Sequence, residues 1–269
     1  MFDIKSFYEA KDVKDAVEAL VREPEAEVIS GGTDVLIRVR EGKDAGRALV
    51  SIHNIKELKG VKILENGDLW IGAATAFSHI TNDPTIQKLV PMLGEAVDMV
   101  GGPQIRNTGT IGGNICNGAT SADSAASMWT LNALIQLEGP EGHREVPIHE
   151  FYTGPGRTVR DRCEVCTGFI IKKEDYEGWY GQYIKYGKRK AMEIATLGCA
   201  VRVKLSADKK KIEDLLKGEK NQRAVTGIGL YNVNSRLKLL YGESYGLIYN
   251  EKVRNGFEIW VRLPKKITE

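Results

Sequence analysis

Residues 108–124, "TGTIGGNICNGATSADS", combine four glycines and two asparagines with a single charged residue, Asp123. Glycine has no Cβ, so a glycine-rich backbone can approach a ligand closely. The neutral hydrogen-bonding groups of the stretch are those of Thr110, Asn114, Asn117 and Ser121. The composition favours a surface that holds a large polar ligand through backbone and amide contacts. A glycine-rich turn with capping residues is the alternative interpretation.

A further glycine loop lies near the N-terminus, in residues 28–42, "VISGGTDVLIRVREG". In chain order it is the first glycine loop, and the stretch over residues 108–124 is the second. A short apolar strand is predicted to end at Ser30, and Gly31 and Gly32 follow it directly. Exposed N–H groups in such a turn form an anion-binding nest that suits a diphosphate. Neither loop contains the G-x-G-x-x-G fingerprint or a P-loop. The residue types alone therefore predict a large, phosphate-bearing ligand, with an ordinary capped turn again as the alternative.

Composition sets the broad class of the protein. The chain has 269 residues, 42% of them hydrophobic, a net charge of +2 and 29 glycines. No stripe of basic and aromatic residues predicts nucleic-acid binding. No basic segment followed by an apolar one opens the chain, and the longest uncharged apolar-leaning run falls short of the ~20 residues that span a bilayer. We therefore expect a cytoplasmic protein of one or two domains without a membrane segment.

The four cysteines, Cys116, Cys163, Cys166 and Cys199, are predicted to be reduced thiols. Cys163 and Cys166 form a C-x-x-C, but no second cysteine pair or histidine pair accompanies it. Residues i and i+3 of a strand point to opposite faces, which is wrong for chelation. We predict no metal site, and no ligand set for molybdenum or an iron–sulfur cluster.

The pattern of apolar residues predicts an α+β fold over residues 1–207. An amphipathic helix over 11–22 precedes strands that end in glycine turns, and a helical stretch over 85–100 is broken at Pro91. A charged segment over 207–220 marks a boundary. Beyond it we predict a helix over 231–241 and two strands joined by a hairpin at Asn255-Gly256.

Several segments resemble the FAD-binding subunit of the molybdenum hydroxylases, and most closely the bacterial xanthine dehydrogenase FAD subunits. They include "GGTDVLI", "GGPQIRNTGTIGGNICNGATSADSA", "FYTGPG" and "KRKAMEIATLGCAV", and together they cover about residues 1–207. The resemblance implies two α+β subdomains, 1–55 and 56–207, with FAD extended in the cleft between them. Residues 208–269 would form a short helix–hairpin segment after a charged linker.

The resemblance also implies which residues bind FAD. On the diphosphate side these are Glu27, Val28, Ile29, Ser30, Gly31, Gly32, Thr33 and Asp34. Facing the rest of the cofactor are Gly109, Thr110, Ile111, Gly112, Gly113, Asn114 and Asp123. Val165 would pack beside the flavin, and the cation of Lys185 near its ring would favour the anionic reduced form. A solvated strand lysine is the alternative for Lys185. No catalytic residue is expected in this chain.

The function that the resemblance implies is electron transfer within a hetero-oligomeric hydroxylase of purine metabolism. A molybdenum-cofactor subunit would oxidise a purine or related heterocycle. Electrons would then pass through an iron–sulfur subunit to FAD in this chain, and from FAD to NAD. The chain alone would show no activity toward purine.

The tail departs from that family, which normally continues into a third domain. Residues 210–265 resemble the end of a sensor histidine kinase ATP-binding domain, with "TGIGLYNV" similar to its second glycine box. The Asn box and the D-x-G-x-G box of such kinases have no counterpart. The alternatives are therefore a regulatory ATP-binding or interaction module, or an inert fusion, defined by this tail. Because the third domain is replaced, we expect weak assembly with partner subunits.

Overall fold

The structure, a computed structural model, describes residues 3–189, 192–204, 238, 242–244, 246–249 and 259–262. The chain divides into two compact units, Met1–Val203 and Lys204–Glu269. In the first unit helices and strands mix along the chain, which agrees with the α+β class predicted from the sequence. In the part of the chain that the structure describes, no helix is long and apolar enough to cross a membrane.

The strands form several separate sheets. In chain order they are β1 Ile4–Glu9, β2 Glu27–Ile29, β3 Arg47–Ser51, β4 Val61–Ile63, β5 Leu69–Gly72, β6 Leu134–Gly139, β7 Gly142–Pro147, β8 Tyr152–Gly154, β9 Arg157–Thr158, β10 Val165–Ile171, β11 Trp179–Tyr186, β12 Leu197–Lys204, β13 Gly246–Tyr249 and β14 Ile259–Arg262. β1, β3 and β2 form a parallel sheet in that order. β4, β5, β10, β6 and β7 form an antiparallel sheet in that order, while β8 pairs with β9 and β11 with β12.

The helices of the first unit are short. They are α1 Val13–Arg22, α2 Val35–Arg40, α3 Phe77–Asn82, α4 Pro84–Leu89, α5 Pro91–Asp98, α6 Pro103–Thr108, α7 Ile111–Cys116, α8 Asp123–Thr130, α9 Ile148–Phe151 and α10 Lys173–Tyr176. Asp12 caps α1 by accepting a hydrogen bond from the Asp15 N–H. The predicted break at Pro91 is confirmed, because a proline at the first position of α5 cannot continue α4.

Two hydrophobic cores position these elements. The larger core surrounds the five-stranded sheet, where Phe169 of the central strand β10 lies opposite Ile71 on one side and Ile135 on the other. All three side chains are fully buried. The smaller core packs the apolar stripe of α1 against the parallel sheet, and it includes Ala74 and Val165. Residues from both sheets thus meet around the start of β10.

In the second unit, β13 and β14 pair in antiparallel register, with Gly246 opposite Arg262 and Tyr249 opposite Ile259. These are the two strands predicted for the tail. The predicted helix over 231–241 lies outside the described residues except at Lys238. The kinase-like glycine box and the turn at Asn255-Gly256 also lie outside them.

Candidate functional site

The first glycine loop connects β2 to α2 and lies directly on the end of α6. A Cβ added to Gly31 would stand 2.0 Å from the carbonyl oxygen of Thr108, so any other residue would force the two backbones apart. Gly32 has a φ of +72°, in the left-handed region that glycine adopts without strain. Both glycines are therefore required by the backbone itself, before any ligand is considered.

The second glycine loop connects α6 to α7 and is fastened to residues 73–76. The Gly112 N–H donates to the carbonyl oxygen of Ala73 at 2.8 Å, and a Cβ on Gly112 would lie 2.6 Å from that oxygen. Thr110 caps α7, because its Oγ1 accepts a hydrogen bond from the Gly113 N–H at 3.2 Å. The cap and the docked backbone hold the loop in one position.

The two loops line one cavity of about 670 Å³. That volume lies within the range of about 300–1,000 Å³ typical of small-molecule and cofactor sites. Most of the residues predicted from the sequence line it: Glu27, Val28, Ser30, Gly31, Gly32, Thr33, Asp34, Thr110, Gly112, Gly113, Asn114 and Asp123. Segments that are far apart in the chain thus meet at one site.

The remaining predicted residues lie outside the lining of this cavity. The side chains of Ile111 and Val165 are buried in the larger and the smaller core, and that of Ile29 is buried as well. Gly109 accepts a hydrogen bond from the Phe77 N–H through its carbonyl group. The Lys185 side chain forms a hydrogen-bonded ion pair with Asp123. These five residues support the wall rather than form its surface.

Ser30 leaves a polar atom without a partner in the cavity wall. Its Oγ is buried and makes no hydrogen bond in the described part of the structure. A buried polar group without a partner costs about 1–3 kcal/mol. A polar ligand that reaches this oxygen would remove that cost, so the wall fits a ligand with polar groups on the side of the first loop.

Asp123 belongs to a buried network with Lys185 and Tyr183. Lys185 Nζ lies 2.9 Å from Asp123 Oδ2 and also donates to the carbonyl oxygen of Met99 at 2.9 Å. The Tyr183 hydroxyl donates to Asp123 Oδ1 at 2.7 Å. The side chains of Lys185 and Asp123 are only 9% and 7% exposed, so water screens the pair weakly. The charge of Lys185 is thus matched by a carboxylate at the cavity wall.

Tyr183 acts in this network as a hydrogen-bond donor. Burial, then the hydrogen bond to Asp123 and the charge of that carboxylate, raise the pKa of the Tyr183 phenol well above its ordinary value. The phenol therefore keeps its proton over the whole physiological range and fixes one oxygen of Asp123, while Lys185 fixes the other.

The first loop carries a second charge network, around Arg38. Its guanidinium lies 3.4 Å from Glu27 Oε1 and is also paired with the buried Asp44. Arg47 contacts the same two carboxylates, each at 3.4 Å. The negative charge of Glu27 is therefore compensated at the point where it lines the cavity.

The structure adds residues to the wall that the sequence analysis missed, among them Arg38, Arg160, Glu164, Cys166 and residues 192–194. Tyr183 was missed as well, although it precedes Lys185 by two positions in β11 and so shares its face of the strand. Alternation along the strand was a usable signal for Tyr183. The other residues carry no such signal, because only the tertiary fold brings them to the cavity.

Residues 2–172 match the family described as the FAD binding domain in molybdopterin dehydrogenase. The chain belongs to this family. Its cofactor is FAD, and it is an oxidoreductase subunit of the xanthine dehydrogenase-like molybdenum hydroxylases. The unpartnered Ser30 oxygen and a wall that carries no side chain at Gly112 and Gly113 fit a cofactor that is both long and polar.

Relatives of known sequence agree with this assignment. The xanthine dehydrogenase FAD-binding subunit of Escherichia coli O157:H7 is 42% identical over 205 residues, which are 76% of this chain and 70% of that subunit. The nicotinate dehydrogenase FAD-subunit of Eubacterium barkeri is 35% identical over 181 residues, 66% of this chain and 60% of that subunit. Similar flavin subunits thus serve enzymes with different substrates.

Solved structures show the same fold. Carbon monoxide dehydrogenase from Hydrogenophaga pseudoflava, in a form that lacks the Mo-pyranopterin moiety, superposes with a TM-score of 0.72. The identity is 31%, and the superposition covers 77% of this chain and 71% of that one. This chain therefore shares its fold with a chain of that enzyme.

Gly113 provides a test of the cavity that leaves the core unaltered. The nearest atom to a Cβ at this position, outside the helix backbone, is Thr110 Oγ1 at 3.1 Å. We expect Gly113→Val to abolish FAD binding, while the free energy of unfolding of the FAD-free protein falls by no more than the worth of the Thr110 cap, about 1 kcal/mol. Flavin absorbance of the purified variant and urea denaturation measure the two effects.

Gly112→Val is the matched control, because its side chain would collide with the Ala73 backbone. We expect this neighbour to destabilise the FAD-free protein by about 1–3 kcal/mol. If Gly113→Val retained a full complement of FAD, or unfolded as readily as Gly112→Val, the second loop would be a structural turn rather than a binding surface.

Proposed function

We propose that this chain holds FAD in the cavity between its two glycine loops and passes electrons from an iron–sulfur partner subunit to NAD. When bound, FAD supplies the redox chemistry, whereas the protein supplies binding, orientation and electrostatics. The observation that carries the proposal is the convergence of both loops on one cavity, in a chain of an FAD-binding family.

The first loop is proposed to hold the diphosphate. Ser30 offers a hydroxyl without a partner, and the turn through Gly31 and Gly32 presents backbone N–H groups. Thr33 and Asp34 continue the same wall. Arg38, paired with Glu27, reduces the repulsion that a diphosphate would otherwise meet from that carboxylate. Val28 completes this side of the cavity.

The second loop is proposed to lie along the rest of the cofactor. Gly112 and Gly113 keep the wall free of side chains, and Asn114 is held in place because its Oδ1 accepts a hydrogen bond from Ser124 at 2.6 Å. Thr110 caps the helix that carries them. Four residues are proposed to support the wall from behind: Ile111 and Val165 within the cores, Ile29 as a buried side chain, and Gly109 through its hydrogen bond from the Phe77 N–H.

Asp123 and Lys185 are proposed to set the electrostatics near the flavin ring. The pair is buried and nearly neutral as a unit, and Tyr183 orients it. Removal of either charge alone would leave the other uncompensated beside the cofactor. We therefore treat Lys185 as a positioning residue that acts through Asp123, rather than as a cation that contacts the ring.

The division into subdomains 1–55 and 56–207 stays a proposal as well. The parallel sheet uses strands up to Ser51, and the five-stranded sheet begins at Val61. The cavity takes its first loop from the former region and its second loop from the latter. A cofactor bound there would contact both subdomains at once.

The proposed partners are an iron–sulfur subunit and a molybdenum-cofactor subunit, and the proposed substrate of the complex is a purine. The support is the identity of 42% to a xanthine dehydrogenase FAD-binding subunit, against 35% to a nicotinate dehydrogenase one and 32% to the medium chain of a carbon monoxide dehydrogenase. The chain alone is expected not to hydroxylate purines.

The purified full chain tests the proposal. We expect the visible absorption bands of an oxidised flavin, with about one FAD per chain released on denaturation. Anaerobic addition of NADH should bleach those bands, because NAD is the proposed electron partner, whereas xanthine should leave them unchanged. A colourless protein that cannot be reconstituted with FAD would contradict the function. Bleaching by neither NADH nor NADPH would contradict the proposed acceptor.

The reduction potential of bound FAD tests the role of Lys185. Lys185→Met leaves the Asp123 carboxylate unpaired, so we expect a lower potential and a loss of about 3–5 kcal/mol in the free energy of unfolding. The double variant Lys185→Met/Asp123→Asn removes both charges and should recover a potential close to that of the parent. If the reduction potential of the double variant stayed as low as that of the single variant, Lys185 would act on the flavin directly. Dye equilibration and urea denaturation supply the two measurements.

A further inference from the structure

Two cysteines that are far apart in the sequence meet in the wall of the cavity. Cys116 is the last residue of α7, and Cys166 is the second residue of β10, against which α7 packs. Both line the cavity, Cys166 within the larger core and Cys116 packed against that core. The two thiols are close enough to shift each other's pKa, and both are free cysteines.

This pair differs from the C-x-x-C that stands out in the sequence. The thiol of Cys163 points to the smaller core and donates to the carbonyl oxygen of Leu20 at 3.7 Å. Cys166, inside β10, lies in the larger core, against which Cys116 packs. The two cysteines that are close in sequence therefore pack against different cores, and the neighbour of Cys166 is distant in the sequence.

The surroundings of the pair make one thiol more reactive than the other. The hydrogen bond to Cys166 lowers the pKa of the Cys116 thiol against the opposing effect of burial, and the guanidinium of Arg160 lowers it further. The same hydrogen bond, with burial, raises the pKa of Cys166. The thiolate is the nucleophilic form of cysteine, so the lowered pKa favours Cys116 as the attacking thiol of the pair.

A third polar group completes the cluster. The hydroxyl of Tyr152 is buried and makes no hydrogen bond in the described residues. The charges of both thiols contribute, after burial, to the raised pKa of this phenol, so the hydroxyl lies beside them and keeps its proton. It is available to donate a hydrogen bond to an oxygen atom that reaches the pair.

We propose that Cys116 and Cys166 form a redox modification site, at which hydrogen peroxide that enters the cavity converts the two thiols into a reversible disulfide. The Cys116 thiolate attacks the peroxide, the O–O bond breaks, and one oxygen stays on sulfur as a sulfenic acid while the other leaves as water after protonation. Cys166 then attacks that sulfur and expels a second water. Two thiols lose two electrons, and one peroxide gains them.

The position of the pair links it to the cofactor site. Because both thiols line the cavity proposed for FAD, bound FAD would cover them and slow their oxidation. Formation of the disulfide does not require FAD. The proposed modification site and the proposed cofactor site can therefore be refuted independently of each other.

The experiment treats the full chain, with and without saturating FAD, with hydrogen peroxide, followed by alkylation and peptide mapping by mass spectrometry. We expect a cross-linked peptide pair that joins Cys116 to Cys166 and disappears on treatment with dithiothreitol. The cross-link should form several-fold more slowly in the FAD-saturated protein. If the cross-link formed at the same rate with and without FAD, the proposed position of FAD would be contradicted. The disulfide would still be established.

Variants identify the roles of the individual thiols. Cys166→Ser should stop the reaction at a sulfenic acid on Cys116 that dimedone traps, whereas the matched control Cys163→Ser should still form the cross-link. The proposal is overturned if peroxide oxidises the exposed Cys199 without joining Cys116 to Cys166, or if the cross-link involves Cys163. Dimedone labelling of the parent protein at Cys166 in preference to Cys116 would also overturn it.

Discussion

The architecture of the site depends on the contact between the backbone at Gly31 and the carbonyl group of Thr108. A Cβ at Gly31 would lie 2.0 Å from that oxygen, so only glycine lets the first loop reach the end of α6. The contact fixes the distance between the two glycine loops. Backbone hydrogen bonding from the second loop to Ala73 then connects the loops to the five-stranded sheet. The cavity is the space that this arrangement leaves.

Two carboxylates in the wall, Asp123 and Glu27, are each paired with a cation. Asp123 is fixed by Lys185 and Tyr183, and Glu27 by Arg38. Such pairs are costly to break when they are buried, because the remaining charge has neither water nor a partner. Paired charges of this kind let a protein adjust the properties of a bound cofactor while the cofactor supplies the redox chemistry.

The α+β class, both loops and most of the cavity lining could be predicted from the sequence, because glycine spacing, capping residues and strand patterns are local signals. The sequence analysis explained Gly31 and Gly112 by the close approach of a ligand. The structure shows instead that protein backbone occupies the space beside both glycines. The sequence could not predict the partnership of Lys185 with Asp123, which are 62 positions apart, or that of Cys116 with Cys166. Such pairings arise from tertiary packing, and no local pattern carries them.

Hydrogen exchange measured by mass spectrometry on the FAD-free and FAD-saturated chain tests the central claim, that one cofactor fills the space between the two loops. The account predicts slower exchange on FAD binding in peptides that cover residues 30–34 and, at the same FAD concentration, in peptides that cover residues 110–114. Protection of only one loop, or of neither while FAD is bound, would contradict it and place the cofactor elsewhere.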